Sequence, residues 1–405
     1  MDGVNSGDTA WVLIATALVM LMTPGLGFFY GGLVSRKNVL STLMHSFFTL
    51  AIVSIVWVLW GYTLAFGPTM NGIIGGLDHF GLNGITPDSV TGSIPTLAFV
   101  AFQMMFAAIT PALISGGFAE RKRFKAFVVF TILWSTFVYA PVAHWVWGGG
   151  WIYDLGALDF AGGTVIHITS GVAALVVAAM LGRRKVFGTQ DSEPHDLTMT
   201  MLGAALLWFG WFGFNAGSAL AANGLAAHAF LVTNVAAAAG AISWLATSWI
   251  RKGHPSVLGA ACGAVAGLVG ITPAAGFVGA WAAILIGLGA GMFCCLTVDL
   301  LKSRLMLDDA LDVFAVHGVG GIWGALATGL FADAAIGGTD GLFFGNPRQL
   351  LIQALAVVVA AAFAAVVTFA ICKLIDATVG LRVLEEEEVL GLDSSQHGEI
   401  AYRIS

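Results

Sequence analysis

Residues 164–181, TVIHITSGVAALVVAAML, carry no charge and run out against Arg183, Arg184 and Lys185. A stretch of that length matches what a helix needs to cross the hydrocarbon core of a bilayer. Hydropathy marks about eleven such spans, near 11–33, 39–67, 95–118, 126–147, 164–182, 198–222, 227–250, 256–274, 277–301, 312–332 and 349–377. Composition agrees: 58% of residues are hydrophobic and only 10% are charged, with mean hydropathy +0.89. Soluble domains carry about 25% charge. The expected fold class is an all-α polytopic membrane protein with no room for a large extramembrane domain. No basic patch with interleaved aromatics is present, so no nucleic-acid partner is expected. The partner implied is the lipid bilayer.

Basic residues set the expected orientation. Arg36, Lys37, Arg121, Lys122, Arg123, Lys125, Arg183, Arg184, Lys185, Arg251, Lys252, Lys302 and Arg304 all fall in loops on one side. Lys373, Arg382 and Arg403 lie at or after the end of the last span, leaving only Arg348 of the 17 on the opposite side. The positive-inside rule then puts the N-terminus outside and the C-terminus in the cytoplasm. An odd number of spans gives the same answer independently. The acidic start MDGVNSGDTA lacks the positive region of a signal peptide.

His167 lies eight residues after Asp159, and His317 lies eight after Asp309. If spans 1–5 repeat as spans 6–10, the two histidines occupy equivalent places. Five is odd, so the second copy is inverted, and inverted repeats put a substrate path near the membrane midplane. Span 11 stands outside the pair. The expected organisation is a transmembrane domain over 1–377, divided into a first repeat at 11–182, a second at 198–332 and helix 11 at 349–377. A cytoplasmic tail follows at 378–405.

A histidine inside a membrane span is costly and marks function by default. Two facing imidazoles, each with one donor and one acceptor, can share a proton and bond a small polar solute. Asp159, ahead of AGGTVIH, suits a cap for the exposed N–H groups of the following helix, and Asp309 suits the same task. His45, His79, His144, His195, His228, His254 and His397 read as residues of span ends and loops. No metal is expected, since no third ligand has companion spacing. Cys262, Cys294, Cys295 and Cys372 lie in apolar runs without CxxC spacing, which suggests neither a disulfide nor a zinc site. Phe102 and Phe106 share a helix face, as do Phe214 and Ser218, and HWVWGGGW places Trp147 at the outer edge. These aromatics read either as an interfacial belt or as a cage for a small cation. The EEEE run at 385–388 reads as a solvated charge run.

The blocks GFFYGGLVSRKNVLS, AERKRFK, HWVWGGGW, DFAGGTVIHITSGVAAL with GRR, WFGFNAGSA, GLVGITP, DVFAVHGVGGIWG and GLDSSQHGEIAYR resemble, in order, motifs of the ammonium transporter family (Amt/Mep/Rh). The resemblance spans essentially the whole chain. Trp147 and Ser218 together resemble the Amt branch, a bacterial or archaeal member, rather than Rh.

The resemblance implies an external ammonium-recruitment site at Trp147, Phe106 and Ser218, with Phe102 nearby. It implies a phenyl gate of Phe106 and Phe214, a pore pair of His167 and His317, and an essential acidic residue at Asp159. It implies a homotrimer in the cell membrane, a PII-type signal protein docking on the cytoplasmic face, and a regulatory tail in which Gly391, Asp393, His397, Gly398 and Glu399 match. Ammonium is thus the expected substrate, deprotonated and conducted as ammonia, with or without a separate proton transfer. No cofactor and no catalytic residue are expected, since no nucleophile–base pair is visible. An electroneutral ammonia or carbon dioxide channel and an ammonium sensor acting through a partner are the rival expectations.

Overall fold

The structure, a computed structural model, describes residues 3–189 and 193–402. Arg403, counted above for orientation, lies outside the described residues. Ten helices among them are long and apolar enough to cross a membrane. They are α1 Ser6–Leu33, α2 Arg36–Phe66, α3 Thr96–Phe118, α4 Phe124–Asp154, α5 Gly163–Leu181, α6 Leu197–Gly217, α7 Gly224–Lys252, α9 Ala280–Arg304, α10 Phe314–Phe331 and α11 Pro347–Thr378. The shorter apolar helix α8, Val257–Ile271, falls between α7 and α9. The expectation for that span ran to residue 274. The helix stops early because Pro273 has no N–H to continue the ladder. The chain is a multi-pass membrane protein.

Close approach is built from small residues, as expected where lipid tails remove the hydrophobic drive between helices. A methyl group on Gly203 of α6 would fall 2.2 Å from the Phe29 backbone N of α1. One on Gly267 of α8 would fall 2.2 Å from the Ala236 carbonyl of α7. Between α2 and α3 lie two short antiparallel ribbons, Thr69–Met70 with Ile74–Gly75 and Val90–Thr91 with Ile94–Pro95.

The basic loops are not simply solvated. Arg184 pairs with Glu120 at 2.6 Å and with Asp308 at 2.8 Å, all three buried. The pairs join the loops that follow α3, α5 and α9. Lys122 is also buried, with its Nζ over the ring faces of Phe118 and Phe130 at 4.0 and 3.7 Å.

The tail is folded back onto these loops. It forms two short helices, α12 Glu385–Leu390 and α13 Leu392–His397. Arg382 donates to the carbonyls of Leu181 and Arg183 and pairs with Glu388. The expected solvated run EEEE is therefore corrected at Glu388, which is 6% exposed and also accepts the Lys185 N–H. Asp393 accepts the backbone N–H groups of Leu40 and Ser41 in the first turns of α2. Gly391 adopts φ +106°, and any side chain there would strike Lys37. His397 meets the Phe124 ring edge-on at 5.0 Å. Gly398 closes α13 at φ +69°, and the Glu399 N–H returns to the Asp393 carbonyl.

Candidate functional site

Two helices begin abnormally. Gly163–Ile168 at the head of α5 and Phe314–Val319 at the head of α10 are both π-helical, and each carries its histidine. Such one-turn π segments are frequent at functional sites. Glycine lets these turns meet. A Cβ on Gly171 would lie 2.2 Å from the Gly318 N, and one on Gly321 would lie 3.1 Å from the His167 Cβ. With no side chain at either contact, the rings of His167 and His317 meet edge to edge through their Nδ1 atoms. Their centroids are 5.3 Å apart at 24°, and Nδ1 to Nδ1 is 3.2 Å, so one nitrogen donates and the other accepts. Both rings are buried, and Nε2 of His167 has no protein partner.

The turn ahead of His167 is organised by Asp159. Its Oδ1 accepts the N–H groups of Gly162 and Gly163 at 2.8 and 2.7 Å. Its Oδ2 accepts those of Thr164 and Val165 at 2.8 and 3.1 Å. The carboxylate thus satisfies all four exposed donors that a helix start leaves open. Gly162 takes φ +114°, a left-handed conformation that favours glycine, so that the chain can turn over the carboxylate. The Asp159 carbonyl accepts the Trp147 indole N–H at 2.9 Å. Asp309 does part of the same work for α10, accepting the Phe314 N–H at 2.7 Å.

Above this turn a cavity of about 260 Å³ is lined by Trp147, Phe106, Ser218, Asp159, Gln103, Tyr153 and Phe160, among others. Phe102 does not line it; fully buried, it packs behind Phe106 with centroids 4.7 Å apart. The Ser218 hydroxyl donates to the Phe214 carbonyl at 2.8 Å, which leaves its oxygen lone pairs available as acceptors. The carbonyl oxygen of Gln103 is buried at the cavity wall without a partner. Phe106 stands edge-on to Trp147 at 6.3 Å and lies over Phe214 at 4.3 Å and 33°. Phe214 stacks on His167 at 5.9 Å and 24°. An unbroken file of rings therefore runs from Trp147 through Phe106, Phe214 and His167 to His317.

Residues 10–402 match the family described as Ammonium Transporter Family. The chain belongs to the ammonium transporter family. It is 56% identical to the ammonium transporter of Bacillus subtilis over 403 residues, covering 98% of this chain and 99% of the relative. It is 50% identical over 398 residues to ammonium transporter Amt1 of Archaeoglobus fulgidus, covering 98% and 100%. The crystal structure of Saccharomyces cerevisiae Mep2 superposes with TM-score 0.92 at 40% identity, covering 100% of this chain and 93% of that one. A solved structure titled Sensor Amt Protein superposes with TM-score 0.91 at 31% identity, covering 96% and 98%.

In this member of the ammonium transporter family, some site residues escaped sequence reasoning. Trp211 stacks on His167 at 5.4 Å and 20° and also meets Phe214 at 5.3 Å, and its N–H goes to Thr272. Its position three before Phe214 was the available signal. Gln103 sits beside Phe102 in a run that reads as apolar. Two other histidines correct the reading as span-end and loop residues. His45 is 2% exposed within a cluster of Phe118, Phe124 and Phe127. His144 is fully buried, bonding Thr69 and the Ala65 carbonyl. Among the described residues, no three His, Cys, Asp or Glu side chains group as metal ligands.

Proposed function

We propose that the protein recruits ammonium at the cavity of Trp147, Phe106 and Ser218, removes a proton, and conducts ammonia past Phe106 and Phe214 between His167 and His317. The observation that carries this reading is the file of rings from Trp147 to His317, with the cavity at one end and the histidine pair at the other. Magnitudes divide the path in two. A bare monovalent cation in an apolar pore costs several kcal/mol even after relaxation. Ring faces return about 2 kcal/mol when desolvated, enough to hold ammonium at the mouth but not to carry it past Phe214. The oxygens of Ser218 and Gln103 supply acceptors for its N–H groups. An ammonium pKa close to that of lysine makes proton release at neutral pH cost about 4 kcal/mol, so an acceptor on the path is required. The Asp159 carboxylate is already committed to four N–H groups. It supports the cation by charge, and the unpartnered Nε2 of His167, whose ring can donate through Nδ1 to His317, takes the proton.

The rest of the reading follows the same frame. The matching π-turns at the heads of α5 and α10 support two inverted repeats over 11–182 and 198–332, with α11 outside them. The basic loops support a cytoplasmic C-terminus in the plasma membrane. The tail at 378–405 regulates transport through its contacts with α2, in a homotrimer whose cytoplasmic face receives a PII-type signal protein. Replacing both His167 and His317 with leucine in proteoliposomes tests the histidine step. Loss of ammonium-dependent current is expected, and undiminished current contradicts it.

A further inference from the structure

The helix outside the two repeats carries two amides where the bilayer disfavours them. Gln349 and Gln353 lie four residues apart on one face of α11, and both are buried. Polar side chains at such positions are retained where they serve specific bonds. Gln353 has its bonds complete. Its Oε1 accepts the Leu158 N–H at 2.7 Å, and its Nε2 donates to the Leu158 carbonyl at 2.7 Å. The same Nε2 donates to the Ala325 carbonyl of α10 at 3.1 Å. Gln349 donates to the Gly156 carbonyl at 3.0 Å and to Gln353 Oε1 at 3.3 Å.

One amide therefore holds both strands of the site. Leu158 precedes Asp159, whose carbonyl takes the Trp147 indole and whose carboxylate sets the turn leading to His167. Ala325 lies eight residues past His317 on the same helix. No other buried side chain on α11 bonds to the 156–158 loop, apart from its neighbour Gln349.

We infer that Gln353 is a positioning residue for ammonium recruitment: it clamps Leu158 to α10 so that the Asp159 carbonyl holds the Trp147 indole over the cavity. The inference rests on the recruitment reading above. Helix α11 is then a brace between the recruiting loop and the second pore helix, not a passive outer span.

The test is the dependence of initial ammonium current on concentration in proteoliposomes, for Gln353→Met, Trp147→Phe and the double variant. Methionine keeps the volume and removes the bonds. Losing bonds worth about 1 kcal/mol should raise the half-saturating concentration about five-fold in each single variant, with the maximal current within about two-fold. Because both changes act on one relationship, the double variant is expected to be within about two-fold of the worse single variant. Independent effects that multiply to about 25-fold would overturn the assignment. So would an unchanged half-saturation in Gln353→Met when Trp147→Phe raises it. An unchanged value in Trp147→Phe would instead overturn the recruitment reading itself, and the inference with it. If Gln353→Met does not insert, Gln353→Glu, which retains an acceptor for the Leu158 N–H, carries the same comparison. Failure of both to insert assigns the residue to assembly and overturns the positioning role.

Discussion

The Nδ1 atoms of His167 and His317 lie 3.2 Å apart, although 150 residues separate them in the chain. Their meeting depends on glycine contacts between α5 and α10, because only a missing side chain lets the two π-turns approach so closely. In the proposed mechanism the histidines carry the chemistry, and the glycines determine whether the pair is assembled.

Gly171→Ala is therefore expected to abolish transport with both histidines intact. Its methyl group would lie 2.2 Å from the Gly318 N and 2.4 Å from its Cα, and backbone cannot yield as a side-chain end does. Overpacking of this kind costs about 1–3 kcal/mol, and a lowered melting temperature should accompany the lost uptake. Gly224→Ala is the control, since nothing lies within 4 Å of its added methyl. Equal behaviour of the two variants would contradict the glycine account.

Asp159 separates two kinds of substitution. Alanine leaves four buried N–H groups unpaired, at about 1–3 kcal/mol each. That sum rivals the whole stability of a typical domain, so Asp159→Ala should fail to accumulate as folded protein. Asparagine keeps one acceptor oxygen, and Asp159→Asn should fold with a reduced melting temperature. Size-exclusion profiles and thermal melts of the purified variants decide this.

The legibility of the chain follows from which physical rules are local. Spans show plainly, because the bilayer demands long uncharged runs. The Asp159 cap is also legible, since a carboxylate just ahead of a helix has few other uses. Local rules say nothing of what packs around a side chain from other helices. His45 and His144 sit near helix ends in sequence, yet neighbouring helices bury both. Glu388 belongs to a run that looks solvated, and only the returning Arg382 shows why it is not. The π-turns leave no signature in hydropathy, and Gln353 matters only through partners far away in the chain.

The tail offers a separable test. Asp393→Ala removes the acceptor for the Leu40 and Ser41 N–H groups. The tail should then be cut faster by added protease, and transport should fall. Truncation after Arg382 should lower transport at least as far. Full activity in the truncated protein would remove the tail from the mechanism.

Asp309 predicts a pH dependence. Burial first, and Asp312 second, push its carboxyl from the ordinary 3.8 up to about 7. A carboxyl raised in the fold holds its proton more tightly there than in the unfolded chain. Its stabilisation is complete below the ordinary value and is lost as pH rises towards 7. The melting temperature of the native protein should fall across that window relative to Asp309→Asn, whose side chain does not titrate. Parallel curves would contradict the assignment.

The most direct measurement is charge movement in proteoliposomes after an ammonium concentration jump. A transient current that scales with ammonium and is absent with potassium is the predicted result. It is what selection of ammonium over potassium and transfer of its charge require under the proposed route. Rapid internal pH change without any current would contradict the account and leave an electroneutral ammonia channel in its place.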